Sequence, residues 1–101
     1  MSEYRDSIIS NEPFCYICGK SSDLQRHEIY HGAYRDKSKR LGCWVYLCRK
    51  CHIDKVHNKK NKDGINWDLY LKMNCYGRIC EYYGWSDKEF RKEFGKSYAV
   101  L

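Results

Sequence analysis

No stretch of this sequence approaches 18 consecutive apolar residues, which excludes a transmembrane helix. The opening, MSEYRDSIISNE, is polar and acidic and lacks the basic-then-apolar build of a secretory signal. No internal repeat and no low-complexity segment interrupts the chain, and proline occurs once, at Pro13. Aromatic residues, by contrast, are plentiful. Ten Tyr, three Trp and three Phe exclude a disordered chain. With 101 residues there is room for one domain, whose core is adequate but small enough that a metal staple would help it.

Seven cysteines raise the question of a disulfide scaffold. An odd count, the missing signal and the Cys-x-x-Cys spacing argue instead for metal binding in a reducing cytoplasm. Cys15-x-x-Cys18 and Cys48-x-x-Cys51 form two knuckles 29 residues apart. Two intervening residues let both thiolates reach one ion, and two such pairs complete a closed tetrahedral zinc site. A closed site has no position for water, so its role is structural. Cys43, Cys75 and Cys80 are expected to pack as small apolar residues.

The positive charge is concentrated. Residues 20–62 hold 12 Lys/Arg against 4 Asp/Glu, whereas residues 63–101 hold 6 against 6 and residues 1–19 hold 1 against 3. A polyanion partner, most simply nucleic acid, is one reading, and a solvated basic face is the other. Arg35, Lys37, Lys39, Arg40, Arg49 and Lys50 are the expected phosphate contacts, with Lys55, Lys59, Lys60 and Lys62 beyond them. Tyr30 and Tyr34 suit either base stacking or core packing.

The expected fold class is a small α+β zinc-stapled domain. Residues 1–13 read as a flexible N-terminal tail, 14–62 as the zinc-bound core and 63–101 as a C-terminal helical extension. Within the core, Arg26 to Tyr30 and Cys43 to Leu47 read as two strands of a hairpin, with Gly32 to Gly42 as a basic, polar loop. The second knuckle leads into a short helix. From Ile65 a longer helix is expected to bury Leu69, Met73, Tyr76, Cys80 and Tyr83, capped by Asp63 or Asn66 and ended by Gly84. Ser86 to Glu89 forms a capping box for a last helix that docks through Phe90 and Phe94 and stops at Gly95. A hairpin between two knuckles, followed by a helix, describes a treble-clef zinc finger.

Four histidines remain: His27, His31, His52 and His57. Packing the hairpin on the helix after the second knuckle would bring three imidazoles together, enough for a second metal with open positions. Alternatively His52 merely supports the adjacent zinc ligand, and His31 is an ordinary loop or DNA-facing residue.

RHEIYHG (26–32), RDKSKRLGCWVYLCRKCH (35–52), VHN (56–58) and EFGKSY (93–98) together resemble the HNH endonuclease superfamily, in particular small zinc proteins of phages and prophages. The resemblance implies a ββα-metal centre that hydrolyses DNA phosphodiester bonds with one divalent ion (Mg²⁺, Mn²⁺ or Zn²⁺) beside the structural Zn²⁺. It implies double-stranded DNA as partner, no membrane, and the cytoplasm of a bacterium or phage-infected host. It assigns His27 as the strand ligand, with His52 and His57 as the helix-side pair. Glu28 stands where the family has a catalytic His, so either Glu28 is the base, or it is a ligand and His27 the base. Tyr34 stands where the family's Asn is expected. The alternative is a nucleic-acid-binding or phage accessory protein whose catalytic centre is degraded.

Overall fold

The computed structural model describes residues 5–56 and 66–98. A two-stranded antiparallel sheet lies at its centre, β1 (Leu24–Glu28) against β2 (Trp44–Cys48), in a register that sets Leu24 opposite Cys48 and Glu28 opposite Trp44. The register carries the fold's logic. It brings the end of β2, where the second knuckle begins, back to the start of β1, close in sequence to the first knuckle. Helices α1 (Arg35–Leu41), α2 (Arg49–Cys51), α3 (Trp67–Tyr83) and α4 (Asp87–Phe94) complete an α+β domain. No described helix is long and apolar enough to cross a membrane.

The segment expected as a polar loop is ordered differently. A 3-10 turn (Gly32–Tyr34) leads into α1, whose first turn holds Asp36 and whose last turn holds Lys39 and Arg40, the arrangement the helix dipole favours. Gly42 ends it at φ 78, in the left-handed region, its N–H bonded to Ser38 O. Only Ser38 of this helix is buried. Its Oγ accepts from Tyr30 N at 2.9 Å and donates to Tyr30 O at 2.8 Å, fastening α1 to the chain beyond β1.

Beyond α2 the backbone widens into a π-helical turn, His52–Val56. Asn66 then caps α3, its side chain accepting from Leu69 N, and Gly84 closes the helix in the left-handed region. The buried face of α3 is Leu71, Cys75 and Ile79, not the expected stripe. Leu69 is 41% exposed, while Tyr76, Cys80 and Tyr83 are only half-buried on the flank of that face. Tyr76 and Tyr83 keep their hydroxyls bonded, to Asp87 Oδ1 and Leu41 O respectively, so the flank is amphipathic rather than apolar. Ser86 caps α4 as its capping box requires, and Phe90 and Phe94 are buried against Tyr30. Cys43 and Cys75 are fully buried in the core, and Cys80 lies at its edge.

Residues 5–12, expected as part of a loose tail, form a strap across the sheet end. Ser7 Oγ donates to Trp44 O, Trp44 Nε1 donates to Arg5 O, and Ile8 N donates to Gly42 O. A Cβ at Gly42 would lie 2.5 Å from Asp6 O, so glycine is what admits the strap there.

Candidate metal centre and basic face

The donor sulfurs of Cys15, Cys18, Cys48 and Cys51 lie within 4.8 Å of one another. Among the described residues this is the one group of three or more potential ligands packed so closely. A Zn–S bond of about 2.3 Å gives a tetrahedron with S···S edges of about 3.8 Å, and Cys18 Sγ sits 3.7 Å from Cys48 Sγ. The four cysteines can therefore hold a metal ion such as zinc.

Each knuckle turns its amides toward sulfur. Cys18 N points to Cys15 Sγ at 3.5 Å and Cys51 N to Cys48 Sγ at 3.4 Å. Gly19 makes the first turn possible at φ 80, donating to Cys15 O. Burial pushes the Cys15 thiol up, but bonds from the Cys18, Cys48 and Ile17 backbone outweigh it and bring Cys15 to about 7. Cys51 moves the other way, raised by burial and by the sulfurs of Cys48, Cys18 and Cys15 beside it. A cation at the centre removes that conflict.

Beside this cluster, β1 and the π turn bring two histidines together. His27 Nδ1 lies 3.2 Å from His52 Nε2, and His52 Nδ1 lies 2.8 Å from Gln25 Oε1. Gln25 and His27 are two apart on β1 and so share a face. With the Gln25 carbonyl accepting from Nδ1–H, His52 presents the lone pair of Nε2 toward His27. At 3.2 Å the two facing nitrogens are within hydrogen-bond distance of each other. His27 is 3% exposed. His57, the third expected ligand, lies outside the described residues, as do Lys59, Lys60 and Lys62.

Glu28 does not join them. Successive strand residues point to opposite faces, and Glu28 Oε1 accepts from Arg35 Nε at 2.8 Å. His31, whose ring centre is 6.1 Å from that of His27, is bonded through Nε2 to Asp68 Oδ1 at 3.0 Å. Asp68 Oδ2 in turn meets Lys72 Nζ at 2.9 Å. Burial raises the Asp68 carboxyl, yet its bonds from Lys72 and His31 outweigh this and hold it below the usual carboxylate value.

No protein-family model, curated protein or solved structure matches this chain.

The six expected phosphate contacts are divided between two elements. Arg49 and Lys50 are exposed on α2. On α1, Arg35 is paired with Glu28, Lys37 Nζ donates to Glu93 O at 2.7 Å, and Arg40 is exposed with Nε reaching Asp36 O at 3.4 Å. Lys39 is half-buried, its carbonyl receiving Arg5 N of the strap. Tyr30 is core, 2% exposed, and Tyr34 packs its ring on Phe94. Gln25 and Asp68 were not foreseen. For Gln25 the available signal was its place two residues before His27; for Asp68 the i,i+4 spacing to Lys72 was legible, but its contact with His31, 37 residues away, was not.

Proposed function

We propose that this chain is an HNH-type nuclease, a treble-clef zinc finger framing a ββα-metal centre that hydrolyses DNA phosphodiester bonds. One observation carries this reading: His27 Nδ1 and His52 Nε2 face each other at 3.2 Å beside the four-cysteine cluster. His27 and His52 would hold a divalent ion, with His57 as the third ligand on the strength of the resemblance. When bound, such an ion offsets the negative charge that builds on the phosphate and on the leaving oxygen. The chain's own part is to orient the imidazoles, through Gln25 for His52, and to draw the polyanion with exposed Arg40, Arg49 and Lys50. The phage or prophage origin and the cytoplasmic setting stand on the resemblance alone.

A second reading has its own support. Glu28, at the position of the family's base, is bonded to Arg35, and Tyr34, at the position of its Asn, is packed on Phe94. Both favour a nucleic-acid-binding or accessory protein that keeps the frame and has lost the chemistry. Plasmid nicking by the full chain in Mg²⁺, Mn²⁺ or EDTA separates the two, run beside His27→Ala and His52→Ala. The nuclease reading expects metal-dependent nicking that either substitution abolishes. Metal-independent nicking, or equal activity in the variants, would end it.

A further inference from the structure

The carboxylate that resemblance places at the catalytic centre is engaged with a cation of the chain itself. Glu28 is the last residue of β1 and its side chain is 9% exposed, whereas that of Arg35 is 63% exposed. This asymmetry gives the pair a direction. The carboxylate is the fixed end, and the guanidinium is the end presented to solvent. Arginine carries five N–H donors in a rigid planar fork. A bond through Nε sets the plane of that fork while the Nη donors keep the geometry that matches two oxygens of a phosphate. Of the other basic residues on α1, Lys37 is drawn onto the end of α4 and Arg40 folds back on its own helix. Arg35, by contrast, is braced by a buried acid.

We propose, on the reading that the partner is a nucleic acid, that Glu28 is a positioning residue that holds Arg35 for a bidentate grip on a backbone phosphate. The ligand class is a phosphodiester anion. A guanidinium already held in place loses less side-chain freedom on binding than a free one, which is how Glu28 strengthens the contact despite its own negative charge. The role is the same whether the chain cuts its partner or only grips it.

The sign of one substitution decides the matter. Charge alone predicts that Glu28→Gln, which deletes a negative group from a basic surface, tightens binding to a polyanion. Positioning predicts the reverse. The measurement is fluorescence anisotropy of a short mixed-sequence DNA duplex with the zinc-loaded full chain, without Mg²⁺ or Mn²⁺, at low and high salt. Wild type is expected to bind in a salt-sensitive manner. Arg35→Ala is expected to bind roughly tenfold more weakly, Arg35→Lys nearly as weakly because an ammonium has no fork, and Glu28→Gln several-fold more weakly. Zinc content and thermal midpoint report whether Glu28→Gln folds. If it does not, the exposed Arg35→Lys carries the test alone. Wild-type binding with Glu28→Gln unchanged or tighter, or with Arg35→Lys at the wild-type level, overturns the positioning role and leaves the nucleic-acid reading intact. Wild type that shows no salt-dependent binding overturns both.

Discussion

Across the gap between β1 and the π turn, His27 Nδ1 and His52 Nε2 face one another at 3.2 Å. The two residues are 25 apart in sequence, and the hairpin register together with the second knuckle closes that distance. On the proposed nuclease reading both rings hold an ion, with Gln25 fixing which nitrogen of His52 takes part.

Gln25→Leu should therefore weaken a divalent ion at this pair without disturbing the cysteine cluster. The loss expected for an outer hydrogen-bond partner is roughly 10- to 100-fold in affinity. Titration of the zinc-loaded chain with Mn²⁺, followed by electron paramagnetic resonance, measures it. Equal affinity in Gln25→Leu and wild type would refute the orienting role.

Removal of a metal ion held by the four cysteines should unfold the domain. Ligation in closed zinc sites supplies about 10–16 kcal/mol of apparent binding free energy, against a net stability of about 5–15 kcal/mol for a domain. Chelation, or Cys48→Ser, is expected to abolish the cooperative thermal transition seen by circular dichroism. A chelated protein that still melts cooperatively at its original temperature would show that the cluster is not the staple.

Asp68 gives a stability contribution with a defined pH window. Its folded carboxyl titrates below the roughly 3.9 of an unfolded aspartate. The contribution is thus complete above that value and fades as pH falls through the lower folded one. Asp68→Asn should be less stable than wild type above about pH 4, the margin shrinking as pH falls below that. Unfolding free energies of both proteins measured in parallel across this range check it. A margin that closes well above pH ~4 would contradict the assignment.

Ser38→Ala removes a fully buried hydroxyl that satisfies both the N–H and the C=O of Tyr30. Leaving those groups unbonded is expected to cost roughly 1–3 kcal/mol, read as a lower denaturant midpoint at unchanged slope. A shift within error of zero would mean that water or a rearranged α1 replaces the hydroxyl.

What could be read from the sequence was local. The cysteine knuckles, the Asn66 and Ser86 caps, the Gly84 and Gly95 stops and the Phe90–Phe94 pair each depend on residues within one or two turns of one another. Helix α1 was hidden because RDKSKRL buries only a serine and so has no apolar period, although Asp36 early, Lys39 and Arg40 late and Gly42 at the end were signals of a helix. On α3 the aromatic stripe drew attention from Leu71, Cys75 and Ile79, since tyrosines can line a flank with their hydroxyls bonded outward. The candidate site was half legible. Residue type singled out His27 and His52, but their orientation by Gln25 and the diversion of Glu28 to Arg35 depend on where strand and helix meet, which no local pattern encodes. The basic segment reads as continuous in sequence, and the fold divides it between α1 and α2.

The π turn has a consequence for how this chain tolerates changes in length. A π turn contains one residue more than the α turn it replaces, and such turns are accommodated as single-residue insertions within helices. Between Ile53 and Lys55 the backbone thus has a place where loss of one residue returns an ordinary helical turn instead of breaking the helix. A one-residue deletion here would thus shorten the chain while leaving in place the helical path that begins at the second knuckle.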